Sequence, residues 1–221
     1  MTTLEILARY RAAFLAGLGV TIRLFALVSL IGLIAGIALG TLAAKRPGTT
    51  GRLQRGLAFV LGGIPILVFL FWAHFPLQQL LGVVLDPFFT ASVVLSVVNV
   101  VAISDSTRSV LDDFPTQYVL AARSCGLSSR ETFARIELPI IARQLIPTLL
   151  PIQVSILHAT LFASLISVEE VFRVAQRINA QIYRPVQIYT ALALFFLAVS
   201  LPVNGLAAWL RRRFTRSISE T

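Results

Sequence analysis

Long apolar runs separated by short polar segments set the pattern of this 221-residue sequence. Each run lacks Asp, Glu, Lys and Arg, and each falls within the roughly 17–25 residues that a helix needs to cross a bilayer. The pattern predicts an all-α integral membrane protein with five transmembrane helices. The predicted spans are residues 24–44, 57–75, 88–104, 145–168 and 186–210.

Glycine and proline mark special positions in these spans. Gly32, Gly36 and Gly40 recur at every fourth position of the first span, either as a close-packing face or because glycine is common in membrane helices. Pro65 frees a backbone carbonyl, so the second span is predicted to be kinked or to begin irregularly. Ahead of the first span, residues 1–16 are predicted to form a short amphipathic helix on the membrane surface.

One polar segment, residues 116–139, keeps helical order outside the spans. Because glycine adopts positive φ without steric cost, Gly126 predicts a turn there. Ser128 is followed three residues later by Glu131, which is the signature of a capping box. The segment is therefore predicted to contain a helix, a glycine turn and a second helix.

Composition and charge agree with a membrane location. Hydrophobic residues make up 57% of the chain and charged residues only 13%, whereas soluble domains carry about a quarter charged residues. The formal net charge is +9, and most of the 19 Lys and Arg residues lie at 45–55, 108–143 and 211–216. Under the positive-inside rule this distribution places the N-terminus outside and the C-terminus inside, with residues 116–139 in the cytoplasm. The basic residues are thus topology signals and do not indicate nucleic acid binding.

Few side chains offer catalytic or metal chemistry. One cysteine, Cys125, and two histidines, His74 and His158, build neither a zinc cluster nor a nucleophile with its base. Cys125 is expected to be a small buried residue. Glu5 precedes the first apolar run and no small-residue cleavage site follows, so no removable signal peptide is expected. The sequence predicts no enzyme and no metal site.

The segment 116–139 resembles the Glu-Ala-Ala loop of ATP-binding cassette importer permeases, the element that docks into the ATPase subunit. The family pattern is Glu-Ala-Ala, three residues, Gly, nine residues, Ile, one residue, Leu-Pro. Leu120 stands at the position of the family's Glu. The resemblance implies that coupling to the ATPase involves Ala121, Ala122, Gly126, Leu127, Ile136 and Pro139.

The likeness extends over nearly the whole chain and narrows to polar amino acid importers. Residues 17–21, Gly-Leu-Gly-Val-Thr, are similar to the family's opening motif, and Pro115 stands where the family has Val-Pro. The resemblance implies alternating access in a bacterial inner membrane, with no cofactor bound by this chain. The implied partners are two ATPase subunits that hold ATP and Mg, a second and non-identical permease, a periplasmic solute-binding protein, a small polar solute and membrane lipid.

Three departures separate this chain from the family pattern. The family has Arg-Gly-Thr-Pro where residues 62–65 read Gly-Gly-Ile-Pro, and Glu-x-x-Arg-Gly-Gly where residues 105–110 read Asp-Ser-Thr-Arg-Ser-Val. The family's Lys-Asp in the fourth span is here His158 and Ala159. An apolar wall does not offset the desolvation of an amino acid's charges. The hypothesis is that this chain is the less polar half of an unlike pair, or that its solute is not a simple polar amino acid.

Polar residues in or beside the spans are candidates for the solute pathway or its gate, and each has a structural alternative. Asp105 and Arg108 can pair on one helix face or form a gating contact. For Asn99 and His158, an interhelical hydrogen bond competes with solute contact. Ser164 completes the set. Glu169 and Glu170 are expected at the outer membrane edge, where solvation is favoured over contact with a binding protein.

An ion channel or proton-coupled carrier, without an ATPase partner, is the alternative class. Such proteins carry several ionisable residues within their spans, whereas here the span interiors offer essentially Asn99 and His158. Five spans also match poorly with carriers built from inverted repeats.

Overall fold

The computed structural model describes residues 2–46 and 48–215, and every regular element in these ranges is helical. Arg216, one of the basic residues at the C-terminal end, lies outside them. A π-helical segment, Phe133–Glu137, precedes the helix Leu138–Ala159, and a 3₁₀ segment, Thr160–Ile166, follows it. The α-helices are α1 (Thr3–Arg9), α2 (Arg11–Lys45), α3 (Thr49–Gly63), α4 (Ile66–His74), α5 (Pro76–Leu81), α6 (Pro87–Asp112), α7 (Thr116–Ser124), α8 (Ser129–Thr132), α9 (Leu138–Ala159), α10 (Val171–Ile182) and α11 (Pro185–Thr215).

Membrane-length apolar helices confirm an all-helical, multi-pass membrane protein. Within the described residues, four continuous stretches are long and apolar enough to cross a bilayer: Arg11–Lys45, Pro87–Asp112, Ser129–Ile166 and Pro185–Phe214. A fifth crossing is the bent pair Thr50–Gly63 and Ile66–Leu81, if the pair counts as one span.

The first span is longer than the predicted residues 24–44. It begins at Arg11, because nothing between Arg11 and Arg23 breaks the helix and single charges do not end helical order. The predicted surface helix over residues 1–16 is therefore divided at Tyr10 between α1 and the first turns of α2.

The second span is broken, as Pro65 predicts. The segments on either side of Ile64 and Pro65 meet at 93°. Proline cannot donate to the carbonyl four residues before it, and its ring clashes with that carbonyl. The span predicted at 57–75 is therefore not one continuous helix, because α3 and α4 are separate helices.

The glycine stripe of α2 is a packing face against α6. A Cβ atom on Gly36 would lie 2.7 Å from Cβ of Ile103, and one on Gly40 would lie 2.5 Å from the carbonyl oxygen of Ser104. Cβ atoms do not approach other atoms this closely, so only glycine permits the contact. The close-packing alternative is therefore correct for this stripe.

The third span also continues beyond its predicted end at residue 104. Asp105, Arg108 and Asp112 stay on α6, where Arg108 pairs with both aspartates along one face. The charges that suggested a loop therefore extend the helix to Asp112, where the chain turns toward α7.

The predicted helix, glycine turn and second helix are present as α7, the turn at Gly126 and α8. Gly126 has φ +79°, and the Ser128 and Glu131 capping box starts α8. The second helix is not a separate element, however, because helical order continues from Ser129 to Ile166. The fourth span is predicted to begin at residue 145, whereas α9 begins at Leu138, so Pro147 and Pro151 lie inside the helix.

Candidate functional site

The glycine turn shapes the end of the candidate coupling loop. The amide of Gly126 donates to the Arg123 carbonyl at 2.9 Å, and the amide of Leu127 donates to the Ala122 carbonyl at 3.2 Å. These two hydrogen bonds satisfy carbonyls at the end of α7 in the manner of a Schellman motif, which needs positive φ at Gly126. The chain therefore reverses sharply between α7 and α8.

The candidate coupling residues divide between an inner and an outer face of this loop. Ala122 is buried with a 3% exposed fraction, whereas Ala121 and Gly126 are exposed. Leu127, Ile136 and Pro139 are half-buried. Leu120, at the position of the family's Glu, is 65% exposed. The loop thus presents a small, partly apolar surface.

Asp105 and Arg108 form the ion pair that their spacing suggests. Nη2 of Arg108 donates to Oδ1 of Asp105 at 2.9 Å, and Nη1 donates to Oδ2 of Asp112 at 2.7 Å. The same cluster contains Gln54 of α3, which sequence reasoning missed. Nothing local to Gln54 signals a partner more than fifty residues away.

Asn99 lies at the centre of the helix packing and is fully buried. Its Nδ2 donates to the carbonyl of Val28 on α2 at 3.1 Å, and its Oδ1 accepts from Nε2 of Gln153 on α9 at 3.2 Å. The amide therefore joins three helices, which is the interhelical alternative for this residue.

His158 and Ser164 also have partners within the chain. Nε2 of His158 lies 2.8 Å from the Ser200 hydroxyl on α11, and the His158 ring meets Phe196 edge-on at 5.9 Å between centroids. Ser164 is fully buried in the 3₁₀ segment, and its hydroxyl donates to the carbonyl of Leu161, three residues earlier, at 2.7 Å. Among the described contacts, none joins these two residues to Asn99 or to the Asp105 and Arg108 pair, so the five candidates do not form one site.

Glu170 corrects the expectation of a solvated carboxylate. Its side chain is fully buried and caps α10, because Oε1 accepts from the Arg173 amide at 2.9 Å. Burial raises the pKa of Glu170 to about 7, although its hydrogen bonds act in the opposite direction. The expected loop after the fourth span is instead the amphipathic helix α10, whose Val171, Val174 and Ile178 are buried.

Cys125, expected to be buried, is exposed. It is the C-cap residue of α7, next to the glycine turn, where the chain faces away from the helix packing. In the described ranges 2–46 and 48–215, no group of three His, Cys, Asp or Glu side chains is arranged to hold a metal ion.

Residues 36–216 match the model of the family described as binding-protein-dependent transport system inner membrane component. The chain belongs to this family. Its members are permease subunits of ATP-binding cassette importers, so the chain is a permease subunit and not an enzyme. The ATPase, which uses ATP and Mg, is a separate partner, and the family implies a solute-binding protein as well.

Individual relatives agree with this assignment. The permease is 30% identical over 192 residues to the glutamine transport system permease protein of Escherichia coli strain K12, covering 84% of this chain and 87% of the relative. It is 25% identical over 201 residues to the nopaline transport system permease protein of Agrobacterium fabrum, covering 87% and 83%. These relatives favour an importer over a channel or a proton-coupled carrier.

A solved structure shares the fold. The crystal structure of an amino acid ABC transporter with histidines contains a chain that matches this permease with a TM-score of 0.82. The match covers 96% of this chain and 99% of the other at 21% identity. The helix arrangement described above is therefore shared with a chain of this transporter.

Proposed function

We propose that this permease forms half of the translocation pathway of a bacterial inner-membrane importer for an amino acid or a similar small polar solute. A partner ATPase drives alternating access, and this chain supplies a wall of the pathway and the element that docks into the ATPase. The observation that carries the proposal is the exposed glycine turn between α7 and α8, placed between two membrane-length helical segments. Relatives named for glutamine and nopaline transport support the solute class.

The proposed orientation places the N-terminus outside and the C-terminus in the cytoplasm. Basic residues concentrate at 45–55, 108–143 and 211–216, which five crossings would bring to the same side. That side then also holds α7 and α8, where ATP is available. The Arg residues at 211–213 would anchor the end of α11 to anionic lipid.

Within the coupling loop, each residue has a distinct proposed role. Gly126 lets the chain reverse, and buried Ala122 holds α7 against the rest of the coupling loop. Ala121 and Leu127 offer small apolar surface for the ATPase groove. Ile136 and Pro139 lie where the loop enters the fourth span, so a displacement of the loop would reach α9 through them.

The solute pathway in this chain is proposed to be a weakly polar wall. The Asn99 amide is already bonded on both sides by Val28 and Gln153, so it offers little to a solute. His158 is exposed despite its bond to Ser200, which leaves it as the better contact, with Ser164 nearby in sequence. Asp105 and Arg108 are proposed to lie at the cytoplasmic mouth. The bonding of Asn99 and His158 within the chain supports pairing with a second, non-identical permease.

Purification in mild detergent from the native membrane, followed by mass spectrometry of the associated chains, tests the proposal. We expect an ATPase in equal number to the permease chains, together with a second permease. An ATPase without a second permease would show that the chain pairs with itself and would overturn the unlike pair. Absence of any ATPase, under conditions that preserve such complexes, would contradict the proposed function.

A further inference from the structure

A cluster of four polar side chains joins α3 to the end of α6. Asp105, Arg108 and Asp112 lie on one face of α6 at positions i, i+3 and i+7, and Gln54 faces them from α3. The Arg108 guanidinium bonds both aspartates through Nη1 and Nη2. Its remaining nitrogen, Nε, donates to Oε1 of Gln54 at 2.9 Å. The cluster therefore uses every nitrogen of the guanidinium, and of these three guanidinium bonds the one from Nε crosses to α3.

The Gln54 amide makes contact in both directions. Its oxygen accepts from Arg108, while Nε2 lies 3.4 Å from Oδ1 of Asp105 in a weaker second bond. A primary amide offers an acceptor and a donor at once, so it matches a guanidinium beside a carboxylate. Gln54 is only 2% exposed, and a buried amide without partners would cost free energy. Its burial against this ion pair indicates a built contact between the two helices.

The cluster joins α6, which leads to the coupling loop, to α3, which leads to the bend before α4. Asp112 is the last residue of α6, and α7 begins at Thr116, so only residues 113–115 separate the cluster from the coupling loop. On the other side, α3 ends at the 93° bend before α4. The end of α6, residues 105–112, is the stem of the coupling loop. The cluster therefore links this stem to α3, the first half of the broken span.

We propose that Gln54 is a positioning residue that fastens α3 to the stem of the coupling loop, so that α3 moves together with the loop. The proposal rests on the proposed function, because a partner ATPase has to move the loop. The 93° bend separates α3 from α4, and among the described residues the side-chain hydrogen bonds that join α3 to α6 are those of Gln54. Gln54 thereby determines whether loop movement reaches the broken span.

The test measures distances by double electron–electron resonance in the assembled complex with its ATPase. Cys125→Ser removes the native thiol, and spin labels are attached at Phe59→Cys on α3, which is 84% exposed, and at exposed Gln117→Cys on α7. Distances are compared between the nucleotide-free complex and the complex trapped with ATP and vanadate. A reference pair, Gln117→Cys with Leu206→Cys on α11, reports movement of the loop itself.

With native Gln54, we expect the reference distance to change on trapping and the distance between residues 59 and 117 to stay the same. In Gln54→Met the distance between residues 59 and 117 is expected to change as well. Gln54→Glu keeps an acceptor for Arg108 and should preserve the constant distance. Gln54→Asn is too short to reach both partners and should behave like Gln54→Met, which covers the case where the methionine variant does not assemble. Gln79→Met, at an exposed glutamine of α5, is the matched control and should match native Gln54.

Three results would overturn the inference: a changed distance between residues 59 and 117 with native Gln54, a constant distance in both Gln54→Met and Gln54→Asn, or a reference distance that does not change. The first two results would leave the proposed function intact if the ATPase is present and traps vanadate, whereas an unchanged reference distance would also contradict movement of the coupling loop. Loss of the ATPase from every purified complex would instead contradict the proposed function, and the inference with it.

Discussion

The hydroxyl of Thr21 lies 3.3 Å from Oε2 of the fully buried Glu170, although the two residues are 149 positions apart. The same hydroxyl accepts a hydrogen bond from the Val171 amide at 3.1 Å. Gly17, one turn earlier on α2, leaves the room for this approach, since a Cβ there would lie 3.1 Å from the Val171 backbone. Thr21 and Glu170 therefore hold the start of α10 against the first span.

Replacing Glu170 with Gln is expected to change how stability depends on pH. The pKa of Glu170 is raised from 4.5 to about 7 in the folded protein, so folding favours the protonated carboxyl. The stability that protonation of Glu170 contributes is fully present below about pH 4.5 and is lost as the pH rises through 7. The free energy of unfolding falls by about 3 kcal/mol over this range, at about 1.4 kcal/mol per pKa unit. Glu170→Gln should remove this decline, which thermal unfolding in detergent between pH 5 and 8 would measure.

Glu169→Gln is the matched control for this measurement. Glu169 is exposed and pairs with Arg177 at 2.8 Å, and its charge is the smallest contribution to the raised pKa of Glu170, so its replacement should leave most of the decline in place. If Glu170→Gln retained the same decline in unfolding temperature as the native chain, the buried carboxylate would not be its source.

Gly36→Ala is expected to destabilise the pair of α2 and α6. A methyl group there would lie 2.7 Å from Cβ of Ile103, and such overpacking typically costs about 1–3 kcal/mol. Gly19→Ala, on the same helix with nothing within 4 Å, should be neutral or slightly stabilising because alanine is the better helix former. Unfolding temperatures of both variants in detergent would measure the difference, and equal values would contradict the close-packing face.

Asn99→Leu is expected to weaken the contact among α2, α6 and α9 by about 1 kcal/mol, the usual size of a polar contact between membrane helices. The loss arises because Nε2 of Gln153 is left without its acceptor. A double-mutant cycle with Gln153→Leu, followed by unfolding in detergent, isolates the shared part of the energy. A coupling energy of zero would show that the bond contributes nothing to stability.

Gly126→Val is expected to abolish ATPase binding while leaving the chain inserted in the membrane. Valine is strongly disfavoured at φ +79°, so the reversal between α7 and α8 would be lost. Gly205→Val is the matched control, since Gly205 lies in α11 with nothing within 4 Å and without positive φ. Quantifying the ATPase that co-purifies with each variant provides the test, and normal recovery with Gly126→Val would count against the docking role.

Local signals made much of the fold predictable. Apolar runs located the spans, Pro65 located the bend, and Gly126 with the Ser128 and Glu131 box located the turn, because each signal acts within a few residues of itself. Helix α10 was missed because Arg173 and Arg177 made its segment resemble a loop, although its apolar residues follow helical spacing.

Tertiary pairs were not predictable in the same way. Gln54 and Glu170 acquire their environments from helices far away in sequence, and no neighbouring residue signals the Arg108 or Thr21 partner. Asn99 stood out because an amide in an apolar span needs partners, but only the structure distinguishes helix contact from solute contact. A single sequence thus supplies the candidates and leaves their partners undetermined.

The most direct test of the central claim uses Cys125, the one cysteine of the chain, which is exposed beside Gly126. The measurement is its reaction with a membrane-impermeant maleimide in right-side-out and inverted membrane vesicles, with the partner ATPases bound or stripped. The account predicts labelling only in inverted vesicles, with most of it lost while the ATPases are bound. Labelling from the outside, or labelling that the ATPases leave unchanged, would contradict a cytoplasmic coupling loop.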